Sequence, residues 1–294
     1  MDEPRCLLTV HAHPDDEASK GPSTVARYHD DGCRTVLVCC TGGEEGEILN
    51  PDLDTPEVRA DLGGVRRREL EAAAGMIGYD ELVWLGYRDS GMPDSEANAR
   101  PDCFARAPLD EAVGRLVAVL RRERPHVVVT YPEDQAGYPH PDHLRVHEVT
   151  VAAFDAAGDL GAYPEAGEPW QPRKLYAVGW SGRRIVAMHE KFLELGLESP
   201  FDDGWLARAS APQPPHTTEI DVSGYGDVRR LALLAHATQV DPRSRFWFGL
   251  PPEVASTIHL VDEYTLIRTV PGAGVPADLV EDDLFAGIGP TAAR

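Results

Sequence analysis

Two short clusters hold most of the residues whose types and spacing suit chemistry. The first, Val10-His11-Ala12-His13-Pro14-Asp15-Asp16-Glu17, packs two imidazoles and three carboxylates into the seven residues from His11 to Glu17. Neighbouring carboxylates repel one another, and a divalent metal is the obvious compensating cation. The second cluster is Gly137-Tyr138-Pro139-His140-Pro141-Asp142-His143. Zinc accepts imidazole nitrogen and carboxylate oxygen, and a catalytic zinc site keeps a position for water. Iron(II) takes the same donors. Asp15 or Asp16 also suits the N-cap of a following helix, but capping leaves His13 and the His140/His143 pair without a role. His11 sits inside an apolar run and is expected in the core or behind the ligands. His147, four residues after His143, is expected one helical turn further on.

The elements that must position these clusters follow from the hydrophobic pattern. Apolar, β-prone runs predict strands over 6–11, 35–41, 82–85, 126–131 and 174–180, and amphipathic stretches predict helices over 19–31, 57–77, 109–123 and 142–156. Near-continuous apolar strands alternating with helices imply a mostly parallel sheet covered on both faces, an α/β, Rossmann-like fold. In such sheets ligands bind beyond the carboxyl ends of the strands. The clusters directly follow the first and fourth predicted strands, so they emerge on one edge. The alternation also argues against the all-β double sheet usual for a non-haem iron oxygenase. Beyond residue 180 the rhythm weakens. Helices predicted over 184–195 and 227–238 flank the proline-rich stretch 212–215, which suggests an irregular C-terminal cap on a single 1–294 domain whose core is 1–180.

Composition narrows the setting. The net charge is −21, from 28 basic and 49 acidic side chains spread along the chain. So acidic a surface repels phosphate backbones, which argues against nucleic-acid partners. No run approaches the roughly 20 apolar residues of a membrane span. The start, Met1-Asp2-Glu3-Pro4-Arg5, lacks the layout of a signal peptide, so a cytoplasmic location is expected. The five cysteines, Cys6, Cys33, Cys39, Cys40 and Cys103, form no C-x-x-C pair and suggest neither a disulfide framework nor a cysteine metal site.

The motifs resemble the PIG-L-like (LmbE-like) zinc deacetylase family, whose signature is A-H-P-D-D-E followed later by H-P-D-H. Both are complete here, as Ala12 to Glu17 and His140 to His143. The likeness extends to Cys40-Thr41-Gly42-Gly43-Glu44-Glu45-Gly46-Glu47, Arg88-Asp89-Ser90-Gly91-Met92 and Leu234-Ala235-His236-Ala237-Thr238-Gln239-Val240. These stretches are similar to the actinobacterial mycothiol branch, which holds a deacetylase of mycothiol biosynthesis and an amidase of mycothiol S-conjugates. Ser19-Lys20-Gly21, Ile48-Leu49-Asn50-Pro51, the stretch Ala166-Gly167-Glu168-Pro169-Trp170-Gln171-Pro172 and the ending Glu281-Asp282-Asp283-Leu284-Phe285-Ala286-Gly287-Ile288 match the amidase pattern more closely.

What the resemblance implies is specific. His13, Asp16 and His143 would bind zinc, Asp15 would be the general base, His140 would stabilise or protonate, and Tyr138 would polarise the carbonyl. Glu47, Arg66 and Asp89 match positions that hold sugar and inositol hydroxyls, and Lys20 matches a lysine that the amidase carries beside its metal loop. His236 and Gln239 would line the site from the cap, and Asp142 would orient His140 or His143. The implied substrate is a small pseudo-disaccharide thiol conjugate, cleaved to an N-acetylcysteine S-conjugate and glucosaminyl-inositol in detoxification or in processing a biosynthetic intermediate. The alternatives are N-acetylglucosaminyl-inositol deacetylation and a non-catalytic binding homologue.

Overall fold

Most strands in the first half of this chain form where apolar residues run without interruption, because the centre of their sheet is covered on both faces. The computed structural model describes residues 4–135, 138, 140–179, 182–211, 216–274, 276 and 279–289. Gly137 and Pro139 of the second cluster, Trp180 and the proline-rich stretch 212–215 lie outside the described residues.

The first half alternates β1 (Cys6–His11), α1 (Asp16–Ser19), α2 (Pro22–Asp30), β2 (Arg34–Thr41), α3 (Pro56–Ala60) and α4 (Leu62–Ile77). It continues through β3 (Glu81–Tyr87), α5 (Leu109–Glu123), β4 (Val127–Thr130), α6 (Pro141–Ala156) and β5 (Lys174–Val178). The remainder holds α7 (Gly182–Glu194), α8 (Asp203–Ala209), β6 (Thr218–Asp221), α9 (Val228–Ala235), α10 (Arg245–Phe248), α11 (Pro252–Ala255) and β7 (Val261–Thr269). The sheet has the order β3-β2-β1-β4-β5-β7-β6, with β1 to β5 mutually parallel. It is the expected mostly parallel α/β sheet. Helices α2, α4 and α9 touch one another, and α5 packs on α6. With right-handed crossovers running outward in opposite directions from β1, the two groups cover opposite faces.

Two predicted helices are split for local reasons. The stretch over 19–31 breaks at Gly21, whose φ of +76° is left-handed and whose added Cβ would stand 2.5 Å from the Tyr264 hydroxyl oxygen. Pro22 then opens α2 at a position that needs no N–H donor. The stretch over 57–77 breaks at Asp61, between α3 and α4.

The expected irregular cap beyond residue 180 contributes two further strands, which is a refinement of the sequence pattern. β7 runs antiparallel to β5, and β6 antiparallel to β7. Asp262 and Glu263 interrupt the apolar run of β7, and β6 (Thr-Glu-Ile-Asp) is too short and polar to stand out. The helices of this region carry their own apolar cluster around Ile185, Phe192, Phe201, Leu250 and Ile258.

A buried ion pair ties the C-terminal stretch to the sheet. Lys174 Nζ on β5 lies 2.5 Å from Glu281 Oε1, and Tyr176 (2.5 Å) and Thr218 (2.8 Å) donate hydroxyls to Glu281 Oε2. Glu281→Leu strands the Lys174 charge in the interior, and a loss of about 3–5 kcal/mol is expected in urea unfolding. The double variant Lys174→Met/Glu281→Leu should recover most of it. A single variant as stable as the parent would show that the pair is not what anchors this stretch.

Candidate active site

The strand order turns back on itself between β1 and β4, so the loops leaving these neighbours diverge and open a crevice. The first cluster leaves β1 and the second leaves β4. The loop after β2 brings Gly42 to Glu47, and the residues after β3 bring Asp89 and Ser90. Four parallel strands thus deliver their carboxyl-terminal residues to one place.

His13 is the meeting point. Its Nε2 lies 3.1 Å from Asp142 Oδ2 and 3.5 Å from Asp89 Oδ1, and its Nδ1 lies 3.4 Å from Asp16 Oδ2. Asp16 Oδ2 also sits 3.3 Å from His143 Nε2 and accepts the His13 backbone N–H at 2.9 Å. His13, Asp16 and His143, the three ligands implied by resemblance, are therefore in direct contact. Among the described residues the ligand atoms of His13, His140 and His143, and those of His13, Asp89 and Asp142, lie within 4.8 Å of one another. These five side chains and that of Asp16 are buried.

The electrostatics call for a cation. Burial opposes charge on His13, yet Asp89, Asp142 and Asp16 outweigh it and hold its proton well above the usual imidazole range. Burial also works against ionised Asp89 and Asp16. His13 keeps Asp89 below the ordinary carboxylate range, while His143 and Lys20 keep Asp16 well below it. Burial and the neighbouring His13 and His143 push His140 down to about 4, and burial lowers His143. Neutral imidazole is the form that ligates metal. Buried carboxylates beside imidazoles, with a proton on His13 standing where a metal would supply the positive charge, fit a divalent ion of the zinc type.

His140 caps α6. Its Nδ1 accepts the Asp142 backbone N–H at 3.2 Å, so the proton of the neutral ring sits on Nε2. Asp142, wholly buried, takes Ser90 N–H at 2.9 Å on Oδ2 and the Ser90 hydroxyl on Oδ1. Tyr138 stands half-exposed with its ring centroid 5.3 Å from that of His143 and 6.0 Å from that of His140.

Asp15 adopts φ +102°, a left-handed conformation that is strained for a residue with a Cβ. Its backbone N–H donates to Glu17 Oε2 at 3.0 Å, and the other Glu17 oxygen lies 2.5 Å from His236 Nε2. Glu17 and His236 are both fully buried. Arg66, 3% exposed, donates to Gly43 O (2.6 Å), Pro14 O (2.5 Å) and Asp15 Oδ2 (2.9 Å). Burial raises the Asp15 pKa although Arg66 opposes it.

These placements sort the residues matched to substrate binding. Lys20 Nζ is 2.5 Å from Asp16 Oδ1 and 5.3 Å from the Tyr131 ring centre. Glu47 is exposed on the loop after β2. Asp89 is buried, accepting Gly91 N–H at 2.8 Å and Glu45 N–H at 3.2 Å, so its oxygens are committed inside the protein. Arg66 is likewise committed, and His236 faces Glu17. Gln239 is nearly buried, with Nε2 donating to Thr238 Oγ1 at 3.1 Å. His11 contacts the Tyr131 hydroxyl at 3.2 Å, and His147 Nδ1 lies 2.8 Å from Tyr131 O, both behind the site as expected. Sequence reasoning assigned no part to Ser90 and none to Glu17 as a loop lock. Their only signals were adjacency to Asp89 and membership of the first cluster.

A cavity of about 540 Å³ opens beside Lys20, Tyr138 and His143 and runs under residues of α7, α9, α10, α11 and β7.

A family profile described as "PIG-L: GlcNAc-PI de-N-acetylase" matches residues 8–154. The chain belongs to the PIG-L family. It is 42% identical to the mycothiol S-conjugate amidase of Streptomyces coelicolor over 96% of this chain and 97% of that one. It is 41% identical to the 1D-myo-inositol 2-acetamido-2-deoxy-alpha-D-glucopyranoside deacetylase of Streptomyces avermitilis, over 97% and 98%. Overall identity to the two kinds of relative is nearly equal and does not separate them. The N,N'-diacetylchitobiose deacetylase of Pyrococcus horikoshii shares the fold, with a TM-score of 0.61 at 18% identity over 90% of this chain and 84% of that one. Among the described residues no helix is long and apolar enough to cross a membrane.

The buried tie from Arg66 makes a kinetic prediction for this PIG-L chain. Lysine cannot reproduce three bonds to two carbonyls and a carboxylate. Arg66→Lys is therefore expected to lower kcat at least tenfold with little change in KM, the mark of a misplaced Asp15. A rise in KM alone would instead assign Arg66 to sugar contact.

Proposed function

We propose that the chain hydrolyses the amide joining the cysteinyl carbonyl to glucosaminyl-inositol in mycothiol S-conjugates, with zinc held by His13, Asp16 and His143. The observation that carries this reading is the cavity of about 540 Å³ beside Lys20, Tyr138 and His143. An acetyl group has only a methyl beyond its carbonyl and needs no such space, whereas an S-substituted N-acetylcysteinyl group does. The 42% identity to an amidase supports the same choice.

Zinc, when bound, would supply Lewis-acid polarisation of the carbonyl and lower the pKa of water toward about 7. The chain's residues divide the remaining work. Asp15, held at its strained φ by Glu17 and oriented by Arg66, takes the proton from the attacking water. Its raised pKa makes it a better base than an ordinary aspartate. Tyr138 donates a hydrogen bond to the carbonyl oxygen as it gains charge. His140, whose proton sits on Nε2 because Nδ1 caps α6, donates a hydrogen bond to the leaving nitrogen rather than ligating the metal, and the proton that Asp15 took from water passes to that nitrogen as the C–N bond breaks. Asp142 orients His13 and, through its backbone N–H, His140. Lys20, on Asp16 at the cavity mouth, marks where the acyl half enters.

Metal-loaded protein incubated with bimane-labelled mycothiol is expected to release labelled N-acetylcysteine. His13→Ala should lose both bound metal and turnover, and Asp15→Asn should keep metal while losing about 10²–10⁴ in kcat. Acetate release from N-acetylglucosaminyl-inositol without conjugate cleavage would move the assignment to the deacetylase. Metal binding with neither activity would leave a binding homologue.

A further inference from the structure

Asp16 divides its two oxygens between different neighbours. Oδ2 faces the imidazoles, 3.4 Å from His13 Nδ1 and 3.3 Å from His143 Nε2, and accepts the His13 backbone N–H at 2.9 Å. Oδ1 is taken by the Lys20 ammonium, with Nζ at 2.5 Å. On an exposed helix a pair at this i,i+4 spacing is a minor contact. Here it is not, because the Asp16 side chain is 5% exposed and lies among the residues that would hold the metal.

The chain fixes Lys20 in this place from several sides. Lys20 directly follows α1, and its backbone N–H donates to Asp16 O at 2.9 Å. Gly21, next in the chain, has a φ of +76° and no room for a Cβ beside the Tyr264 hydroxyl. Arg229 from α9 donates to Ser19 O on the other side. The ammonium also donates to Ser19 Oγ at 3.3 Å and lies 5.3 Å from the Tyr131 ring centre, whose face attracts a cation. With 27% of its side chain exposed, Lys20 has water to turn to, yet these contacts direct it inward.

Such a placement acts on any cation that Asp16 holds. With Oδ1 taken, Oδ2 is the oxygen turned toward His13 and His143. The ammonium also sets a second positive charge within a few ångströms of the ion, and like charges that close in a partly buried site shift a binding equilibrium by about tenfold or more. Lys20 thereby weakens metal binding and leaves the ion more electron-poor, the condition for stronger Lewis-acid action. Arg66 is placed otherwise, since its bonds go to Asp15 and to the Gly43 and Pro14 carbonyls.

We propose that Lys20 is a positioning residue of the metal site, whose ammonium occupies Asp16 Oδ1, offers Oδ2 to the metal and offsets the charge of that ligand. This rests on the reading of His13, Asp16 and His143 as metal ligands, and not on which amide is cleaved. A neighbour that merely steadied the ligand would strengthen metal binding, and its loss would weaken binding by about 10–100-fold. Lys20 acts with the opposite sign, which separates the two roles by measurement.

The test takes the full-length protein stripped of metal and titrates it with zinc against a chromophoric chelator. Lys20→Met keeps the apolar stem and loses the charge, and it is expected to bind zinc about tenfold more tightly than the parent. In the zinc-loaded variant kcat is expected to fall about tenfold with KM little changed. The rate is read on bimane-labelled mycothiol, or as acetate release from N-acetylglucosaminyl-inositol where that is the substrate turned over. Should neither be turned over, the zinc affinities decide. Lys20→Gln is a second uncharged variant should Lys20→Met fail to fold. Zinc affinity that is unchanged or weaker overturns the proposal. Tighter zinc with an unchanged kcat also overturns it, because Lys20 would then merely compete with the metal. A rise in KM alone does so too, since it makes Lys20 a substrate contact. A parent that binds zinc no better than His13→Ala sinks the metal reading and this proposal together. A parent that binds zinc through His13, with Lys20→Met binding no tighter, sinks this proposal and leaves the metal reading.

Discussion

Three buried carboxylates around one imidazole set the terms for the rest of this structure. Asp16, Asp89 and Asp142 all approach His13, and none of them is open to water. Removing three negative charges from solvent costs several kcal/mol each unless positive charge or hydrogen bonds offset it. The site supplies hydrogen bonds generously. Backbone N–H groups of His13, Ser90 and Gly91, the Ser90 hydroxyl and the Lys20 ammonium all point at these oxygens. What remains is a demand for cationic charge between the imidazoles, which a proton on His13 meets partly and a divalent ion meets better.

That demand explains the layout around it. Carboxylates that repel one another must be held by backbone that cannot relax, and parallel strands buried on both faces provide it. The loop carrying Asp15 and Asp16 is fastened from two remote directions. Arg66 on α4 grips Pro14 and Asp15, while His236, at the end of α9, reaches Glu17, which holds the strained Asp15. The C-terminal region therefore closes the site structurally as well as roofing its cavity. Its attachment through Lys174 and Glu281 is part of the same construction.

The parts of this design readable in the sequence are those with local signals. Apolar runs marked β1 to β5, and the alternation with helices placed the two histidine clusters on one edge. The contact of His13, Asp16 and His143 followed from that topology together with the family likeness. The rest depends on pairings across long stretches of chain. Glu17 and His236 are 219 residues apart, and Ser90 meets Asp142 across 52. Motifs mark Glu17 and Asp142, but nothing local says which distant residue each will meet. Arg66 lies in Arg66-Arg67-Arg68, where only the fold reveals that one of three arginines turns inward. Strand β7 escaped for a related reason. Asp262 and Glu263 break its apolar pattern because they pair with Thr24, Arg229 and Arg183 elsewhere in the chain, so long-range pairing erased the local signal.

Commitment of the polar groups also separates reaction from selectivity. Asp16, Asp89, Asp142, Glu17 and Arg66 are each bound to other parts of the protein, so a substitution there changes whether the site can act at all. The cavity wall is different, because its side chains come largely from the C-terminal helices and from β7, where Arg229 reaches Ser19 O, Asp262 holds Thr24 and Tyr264 stands beside Gly21. Change in that wall can alter what is accepted while leaving the carboxylate–imidazole cluster intact. Relatives named for amidase and deacetylase activities stand at 42% and 41% identity, a difference too small to choose between them. If the cluster at His13 is the shared machinery, a difference in what is accepted has to lie in residues outside it, and the cavity beside Lys20 is walled largely by such residues.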